Sequence, residues 1–195
     1  MQKALFLDRD GVINKMVRKH SKSHNKVIDD SPFKVEELVF NEGIEELVKV
    51  AKDKEYKVIV VTNQPSILKG EFSMQDYEKI TTEICKYLEL ERGDILECFH
   101  KEGLSLPCMC RKPEPGLIFM AKGLFDLDLK ESIMVGDSST DIVAGQRASV
   151  GKTIYLRRPE DLTQFGNKSN EEKMIAESIK PTCIVNSLAE VIELL

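Results

Sequence analysis

The chain of 195 residues carries 33 acidic and 28 Lys or Arg side chains, a net charge of −5, and 42% apolar residues without a single tryptophan. That length is enough to bury the core of one domain, or of one domain with a small cap. The acidic balance argues against a dedicated nucleic-acid binder, which needs a basic field, and no apolar run approaches the roughly 20 residues of a membrane span.

The N-terminal segment reaches Asp8 too early for the apolar core of a secretory leader, so a cytoplasmic location is expected. In that compartment the five cysteines are expected as ligands or buried thiols rather than disulfides. Cys85 and Cys183 fall in apolar-patterned segments and read as core residues.

Residues 3–7 form a short apolar run that closes at Asp8, the pattern of a strand buried on both faces. Residues 14–31 are polar and basic (Lys15, Arg18, Lys19, His20, Lys22, His24, Lys26) and read as a long loop, with a hairpin possible over 33–40. A helix-period segment spans 44–54, a second buried strand 58–61 ends at Thr62-Asn63-Gln64, and another helix spans 75–90. Helices follow at 116–125 and 141–148, on either side of a third apolar run, 132–135, that ends at Gly136-Asp137. The polar tract 157–180 precedes a last strand at 182–185 and a short helix at 188–194. Strands alternating with helices predict an α/β fold, a Rossmann-like parallel sheet with helices on both faces and its ligand site at the carboxyl ends of the strands.

All three polar clusters sit at those strand ends. Asp8-Arg9-Asp10-Gly11 places two carboxylates one residue apart, so one can face a substrate while the other reaches across the same pocket. Alone, the motif reads equally well as an acidic turn that caps a strand. Thr62 and Asn63 add a hydroxyl and an amide suited to phosphate oxygens, Arg111 and Lys112 add cations, and Asp137 and Asp141 add carboxylates suited to a hard cation. Together they are far more specific than any member.

Cys98-x-His100 and, seven residues on, Cys108-x-Cys110 offer three thiolates and one imidazole, a donor set for tetrahedral zinc. The single-residue spacers differ from the roughly two to four residues common in zinc fingers. Four protein ligands would leave no position open for water, so this zinc is expected to be structural.

The order Asp8-x-Asp10, Thr62, Lys112, Asp137 with Asp141 resembles the haloacid dehalogenase superfamily of phosphotransferases. The Cys/His loop running into Arg111-Lys112-Pro113 resembles its histidinol-phosphate and D-glycero-D-manno-heptose-1,7-bisphosphate phosphatase branch in particular. The resemblance implies a haloacid dehalogenase-like fold with a minimal cap and a zinc-binding loop. It further implies that Asp8 is the nucleophile and Asp10 the general acid and base, with Thr62 and Lys112 on the phosphoryl oxygens. Asp8, the Asp10 carbonyl and Asp137 would hold magnesium, Asp141 would orient its neighbours, and Asn63, Gln64, Arg111 and Ser138 would face the substrate.

Three positions depart from the branch. Pro65 and Lys69 stand where a serine and an arginine are common, and Ser138 stands where a lysine often follows the aspartate, which removes one cation. The basic segment 14–31 reads first as a solvated charge run and second as a contact for another phosphate. His20 and His24 have helical spacing, but no nearby carboxylate or cysteine completes a metal set. The expected protein is a monomeric, magnesium-dependent phosphatase of a small phosphorylated metabolite, without nucleic-acid or membrane partners. Heptose 1,7-bisphosphate leads as substrate, ahead of histidinol phosphate or another sugar phosphate. The competing class is a zinc-containing module that binds protein or nucleic acid, and it leaves the order of the strand-end residues unexplained.

Overall fold

The computed structural model describes residues 1–21, 26–100, 108–158 and 170–195. The first half contains β1 (Ala4–Leu7), β2 (Val17–Ser21), β3 (Lys26–Asp30), α1 (Ile44–Asp53), β4 (Lys57–Asn63), α2 (Met74–Leu88) and β5 (Ile95–Cys98). The second half contains α3 (Gly116–Phe125), β6 (Ile133–Gly136), α4 (Ser139–Arg147), β7 (Lys152–Leu156), α5 (Asn170–Ala176), β8 (Cys183–Val185) and α6 (Leu188–Leu194).

Six strands form one parallel sheet in the order β5-β4-β1-β6-β7-β8. β1 and β6 are buried along their whole length because helices cover both sheet faces. Alternate residues divide between two cores. Leu5, Leu7, Val58, Val60, Ile133 and Val135 pack toward α1, α2 and α6, whereas Phe6, Ile59, Val61 and Met134 pack toward α3 and α4. From β1 the chain builds outward through β4 to β5, then returns to β6 on the other side of β1. The crevice between the carboxyl ends of β1 and β6 is therefore a topological switch point, where open α/β sheets place ligands.

The basic segment differs from its sequence reading. Instead of the loop expected over 14–31, β2 and β3 pair antiparallel, with Val17 opposite Asp30 and His20 opposite Val27. The β-branched Val17, Val27 and Ile28 supply strand preference that the surrounding charges obscured. Residues 33–40 form no hairpin. A 3-10 turn, Val35–Glu37, stands there, with the Glu37 carboxylate accepting from Phe33 N (2.7 Å) and Lys19 Nζ (3.1 Å). Lys19 is thus engaged within this small cap, and its ammonium also lies 3.5 Å from the Phe33 ring centroid. Lys22 and His24 lie outside the described residues, and His20 is exposed. β5, β7 and α5 are additional elements that the sequence reading did not mark.

Candidate active site

Asp8 follows β1 directly, and its N–H donates to the Val135 carbonyl (3.0 Å), which binds the end of β1 to the end of β6. The chain then curls tightly, with the N–H groups of Ile13 and Asn14 both donating to the Arg9 carbonyl (2.8 and 3.1 Å). Gly11 has φ 103°, and a Cβ at this position would overlap the Asp137 carboxylate. Only glycine combines that backbone with so close an approach.

Lys112 is brought in from the loop before α3 and is buried. Its Nζ lies 2.6 Å from Asp8 Oδ1, 2.6 Å from Asp141 Oδ1 and 2.7 Å from the Val61 carbonyl, one acceptor for each ammonium donor. Asn63 clamps the same residue by its main chain, donating from Nδ2 to the Lys112 carbonyl (3.1 Å) and accepting from its N–H (3.0 Å). Asp141 also closes the N-terminus of α4, where Oδ2 accepts from Ser138 N (3.1 Å) and Ser138 Oγ (2.6 Å).

Carboxylate oxygens of Asp8, Asp137 and Asp141 lie within 4.8 Å of one another. The Asp8 carboxyl is raised to about 7, above all by burial, with Lys112 pulling it down and Asp141 and Asp10 adding to the rise. Burial alone would lower the Lys112 ammonium, but Asp141 and then Asp8 outweigh it and raise its pKa. One ammonium is thus shared between two buried carboxylates, with a third close by. A hard divalent cation with oxygen ligands fits that deficit of positive charge.

A pH effect follows from the raised Asp8 carboxyl. The folded protein holds a proton there that the unfolded chain releases near 3.8, so stability is lost as pH rises from 3.8 through about 7. In magnesium-free buffer with the zinc retained, the melting temperature of the wild type should decline over that window more than that of Asp8→Asn. Adding magnesium at pH 8 should restore the wild type. Parallel melting curves for the two proteins would contradict the assignment.

Asp10 sits beside this cluster with donors on both oxygens. Arg9 approaches Oδ2 through Nε (3.1 Å) and Nη2 (2.9 Å), Gln64 Nε2 donates to Oδ2 (2.6 Å), and Asn14 Nδ2 donates to Oδ1 (3.0 Å). Arg9 is 0% exposed and lies 5.4 Å from the Tyr77 ring centroid. Gln64, expected at the substrate, is itself buried and bonds Asp10 and Thr62 Oγ1 (2.8 Å). Thr62, Asn63 and Ser138 line the cleft with Asp8, Asp10 and Lys112. Arg111, also expected at the substrate, is not among those lining residues; its guanidinium donates to the His100 carbonyl (3.3 Å) and so ties the segment back to the Cys/His loop.

The sequence reading did not single out Asn14, Asp30, Arg158 or Asn170. The β3 end delivers Asp30 to the cleft, where it accepts from Ser31 N (2.7 Å) and Ser66 Oγ (3.1 Å); burial raises its pKa. Arg158 Nε lies 2.8 Å from Asp137 Oδ2, and Asn170 Nδ2 donates to the Asp137 carbonyl (3.0 Å). The available signal was position: Asp30 ends a strand of the cap and Arg158 follows β7 at the carboxyl edge of the sheet.

Cys98, His100, Cys108 and Cys110 converge next to this cleft. Their three Sγ atoms and His100 Nδ1 form a tetrahedron whose six edges run from 3.1 to 3.5 Å. Its centre lies about 2.0 Å from each donor, close to the ~2.0–2.3 Å of zinc bonds. Burial raises the Cys98 thiol, whereas hydrogen bonds from Cys110 and the backbone outweigh burial at Cys108 and bring it to about 7. The cluster is coupled to the cleft through β5: Cys98 is in register with Asn63, and its carbonyl accepts from Gln64 N (2.7 Å).

The family model described as haloacid dehalogenase-like hydrolase matches residues 16–149, and a second, HAD-hydrolase-like, matches 109–191. The chain belongs to the haloacid dehalogenase-like hydrolases. It is similar to a D-glycero-alpha-D-manno-heptose-1,7-bisphosphate 7-phosphatase of Campylobacter jejuni, 34% identical over 91% of this chain and 96% of that one. It is also similar to the corresponding beta-anomer 7-phosphatase of Helicobacter pylori, 36% identical over 79% of this chain and 83% of that one. The fold matches the crystal structure of a D,D-heptose 1,7-bisphosphate phosphatase from B. bronchiseptica complexed with magnesium and phosphate. That match has a TM-score of 0.74 at 23% identity and covers 98% of this chain and 97% of that one. In this haloacid dehalogenase-like hydrolase Asp8, Thr62 and Asp137 from three strand ends, and Lys112 from the loop before α3, line one cleft.

Proposed function

We propose that the protein is a magnesium-dependent phosphatase that releases the 7-phosphate of D-glycero-D-manno-heptose 1,7-bisphosphate. The observation that carries the reading is Lys112, buried between Asp8 and Asp141 beside Asp137. Phosphate-ester hydrolysis is slow because an anionic nucleophile must approach an anionic phosphate, and this is a site built to offset that repulsion. The named relatives supply the substrate.

Asp8 attacks phosphorus, and Lys112 and Thr62 hold the phosphoryl oxygens. Asp10 gives a proton to the departing sugar oxygen and later takes one from the attacking water, which divides one hard step into two. Gln64, Asn14 and Arg9 aim Asp10, while Asp141 and Asn63 hold Lys112 in place. Asp8, the Asp10 carbonyl and Asp137 would hold magnesium, which when bound supplies positive charge against the phosphate. The carboxylate oxygens are the hard donors that this ion takes.

Zinc fits the Cys98, His100, Cys108 and Cys110 donors, and four protein ligands leave it no open position for chemistry. Its role is to staple the segment that runs through Cys110 and Arg111 into Lys112. A cytoplasmic, monomeric enzyme completes the reading, since thiolate ligands survive in a reducing compartment.

Phosphate release, measured with magnesium over both anomers of the heptose bisphosphate and over histidinol phosphate, tests the assignment. The highest kcat/KM is expected for a heptose bisphosphate, with no turnover in magnesium-free buffer. A clear preference for histidinol phosphate, or equal release without magnesium, would overturn it.

A further inference from the structure

Five carboxylates line the catalytic cleft: Asp8, Asp10, Asp30, Asp137 and Asp141. Four of them have a cation within 2.9 Å: Lys112 stands against Asp8 and Asp141, Arg9 against Asp10, and Arg158 against Asp137. Asp30 is the exception among the described residues. Its partners are neutral donors: Ser31 N (2.7 Å) and Ser31 Oγ (3.3 Å) on Oδ1, and Ser66 Oγ (3.1 Å) on Oδ2. Lys19 of the same cap turns instead to the Ser31 carbonyl (2.8 Å) and Glu37 (3.1 Å).

The two serines hold Asp30 from opposite sides, Ser31 in the cap and Ser66 in the loop after β4, and both are buried. Its carboxylate is therefore oriented before a ligand arrives. A carboxylate has about four acceptor sites, and these bonds occupy three of them. Burial is the largest influence on this carboxyl and raises its pKa; Ser31 and Ser66 pull it down, and Asp10 adds to the rise. Asp30 thus lies within electrostatic reach of Asp10, the group that meets the departing oxygen.

A negative charge without a cation repels a phosphate, so what it takes from a phosphate ester is an O–H donor on the carbon skeleton. The cleft measures about 220 Å³, below the ~300–1,000 Å³ of pockets that enclose a whole ligand. It therefore surrounds the reacting end of a substrate, and a side chain in its wall meets the atoms next to the ester oxygen.

We propose that Asp30 is a specificity-determining residue that accepts a hydrogen bond from a hydroxyl on the carbon next to the ester carbon of the substrate. In a heptose 7-phosphate ester that group is the C6 hydroxyl. The assignment rests on the phosphatase reading above and deepens it, because it names what selects a polyol phosphate over an ester that lacks such a donor.

The test measures kcat/KM at saturating magnesium for wild type, Asp30→Ala and Asp30→Asn. The substrates are heptose 1,7-bisphosphate and para-nitrophenyl phosphate, which has no donor beside its ester. The ratio of the two values isolates the hydroxyl, since any weakening of the cap or of Asp10 lowers both. For Asp30→Ala the ratio should fall roughly 10- to 100-fold, the loss expected for a hydrogen bond to a charged group. Asp30→Asn, whose amide oxygen still accepts, should lose less. A ratio for Asp30→Ala within about 3-fold of wild type would reduce Asp30 to a tie between the cap and the sheet and overturn the proposal. A loss confined to histidinol phosphate, assayed alongside, would assign Asp30 to the ammonium of that ester and overturn it as well. The two readings fail separately: a wild type that released no phosphate from the heptose ester would remove the phosphatase reading first, whereas an active wild type with an unchanged ratio in Asp30→Ala removes this assignment alone.

Discussion

Asp8→Asn is expected to abolish phosphate release, by about four orders of magnitude or more, while leaving the protein folded. The amide has nearly the shape of the carboxyl group, so the packing at the end of β1 is kept. Lys112 loses one charged acceptor but retains Asp141 and the Val61 carbonyl. Removing one of three neighbouring carboxylates also relieves repulsion, the same repulsion that helps raise the Asp8 carboxyl. Stability equal to or above that of the wild type is therefore expected at neutral pH. Circular-dichroism melting with a phosphate-release assay separates the two effects, and turnover within about tenfold of wild type would remove Asp8 as the nucleophile.

Removal of zinc is expected to cost stability more than chemistry. Structural zinc contributes several kcal/mol to folding, and at ~2–4 °C per kcal/mol for a chain of this size the melting temperature should fall by at least about 10 °C. Lys112 has independent anchors in Asp8, Asp141, Val61 and Asn63. Below the new melting point kcat should consequently stay within about tenfold of the zinc-loaded value, whereas a zinc that took part in bond breaking would cost far more. The same ordering should hold for Cys110→Ser. Differential scanning calorimetry with metal analysis decides the point: an unchanged melting temperature after verified zinc loss would contradict the staple.

The parts of this site that were legible in the sequence share one physical cause. A parallel strand covered on both faces must be apolar to its end, so the first polar residue after it is conspicuous. Asp8, Thr62 and Asp137 were found that way, and α3 and α6 agree with the periodicity over their full lengths. The hairpin was obscured because a two-stranded ribbon in solvent keeps Arg18, His20 and other charges in its strands. Contacts across long separations were equally hidden. Gln64 reads as a polar residue facing a ligand, yet it turns inward to Asp10 across 54 positions, and Asn63 holds Lys112 across 49. Arg9, between two aspartates, received no role from the sequence, whereas the fold buries it completely as a support for Asp10. Such positioning residues carry no local pattern, because their partners are fixed by sheet order.

That chemistry occurs at Asp8 and not at the neighbouring cysteines is most directly tested by trapping. During turnover with magnesium, the reaction is quenched with labelled borohydride, which reduces an acyl phosphate to an alcohol, and the label is then located by peptide mapping. Label at Asp8, dependent on both substrate and magnesium, is the expected result. Label on another residue, or none at Asp8 while phosphate release proceeds under conditions that trap a control acyl phosphate, would contradict it.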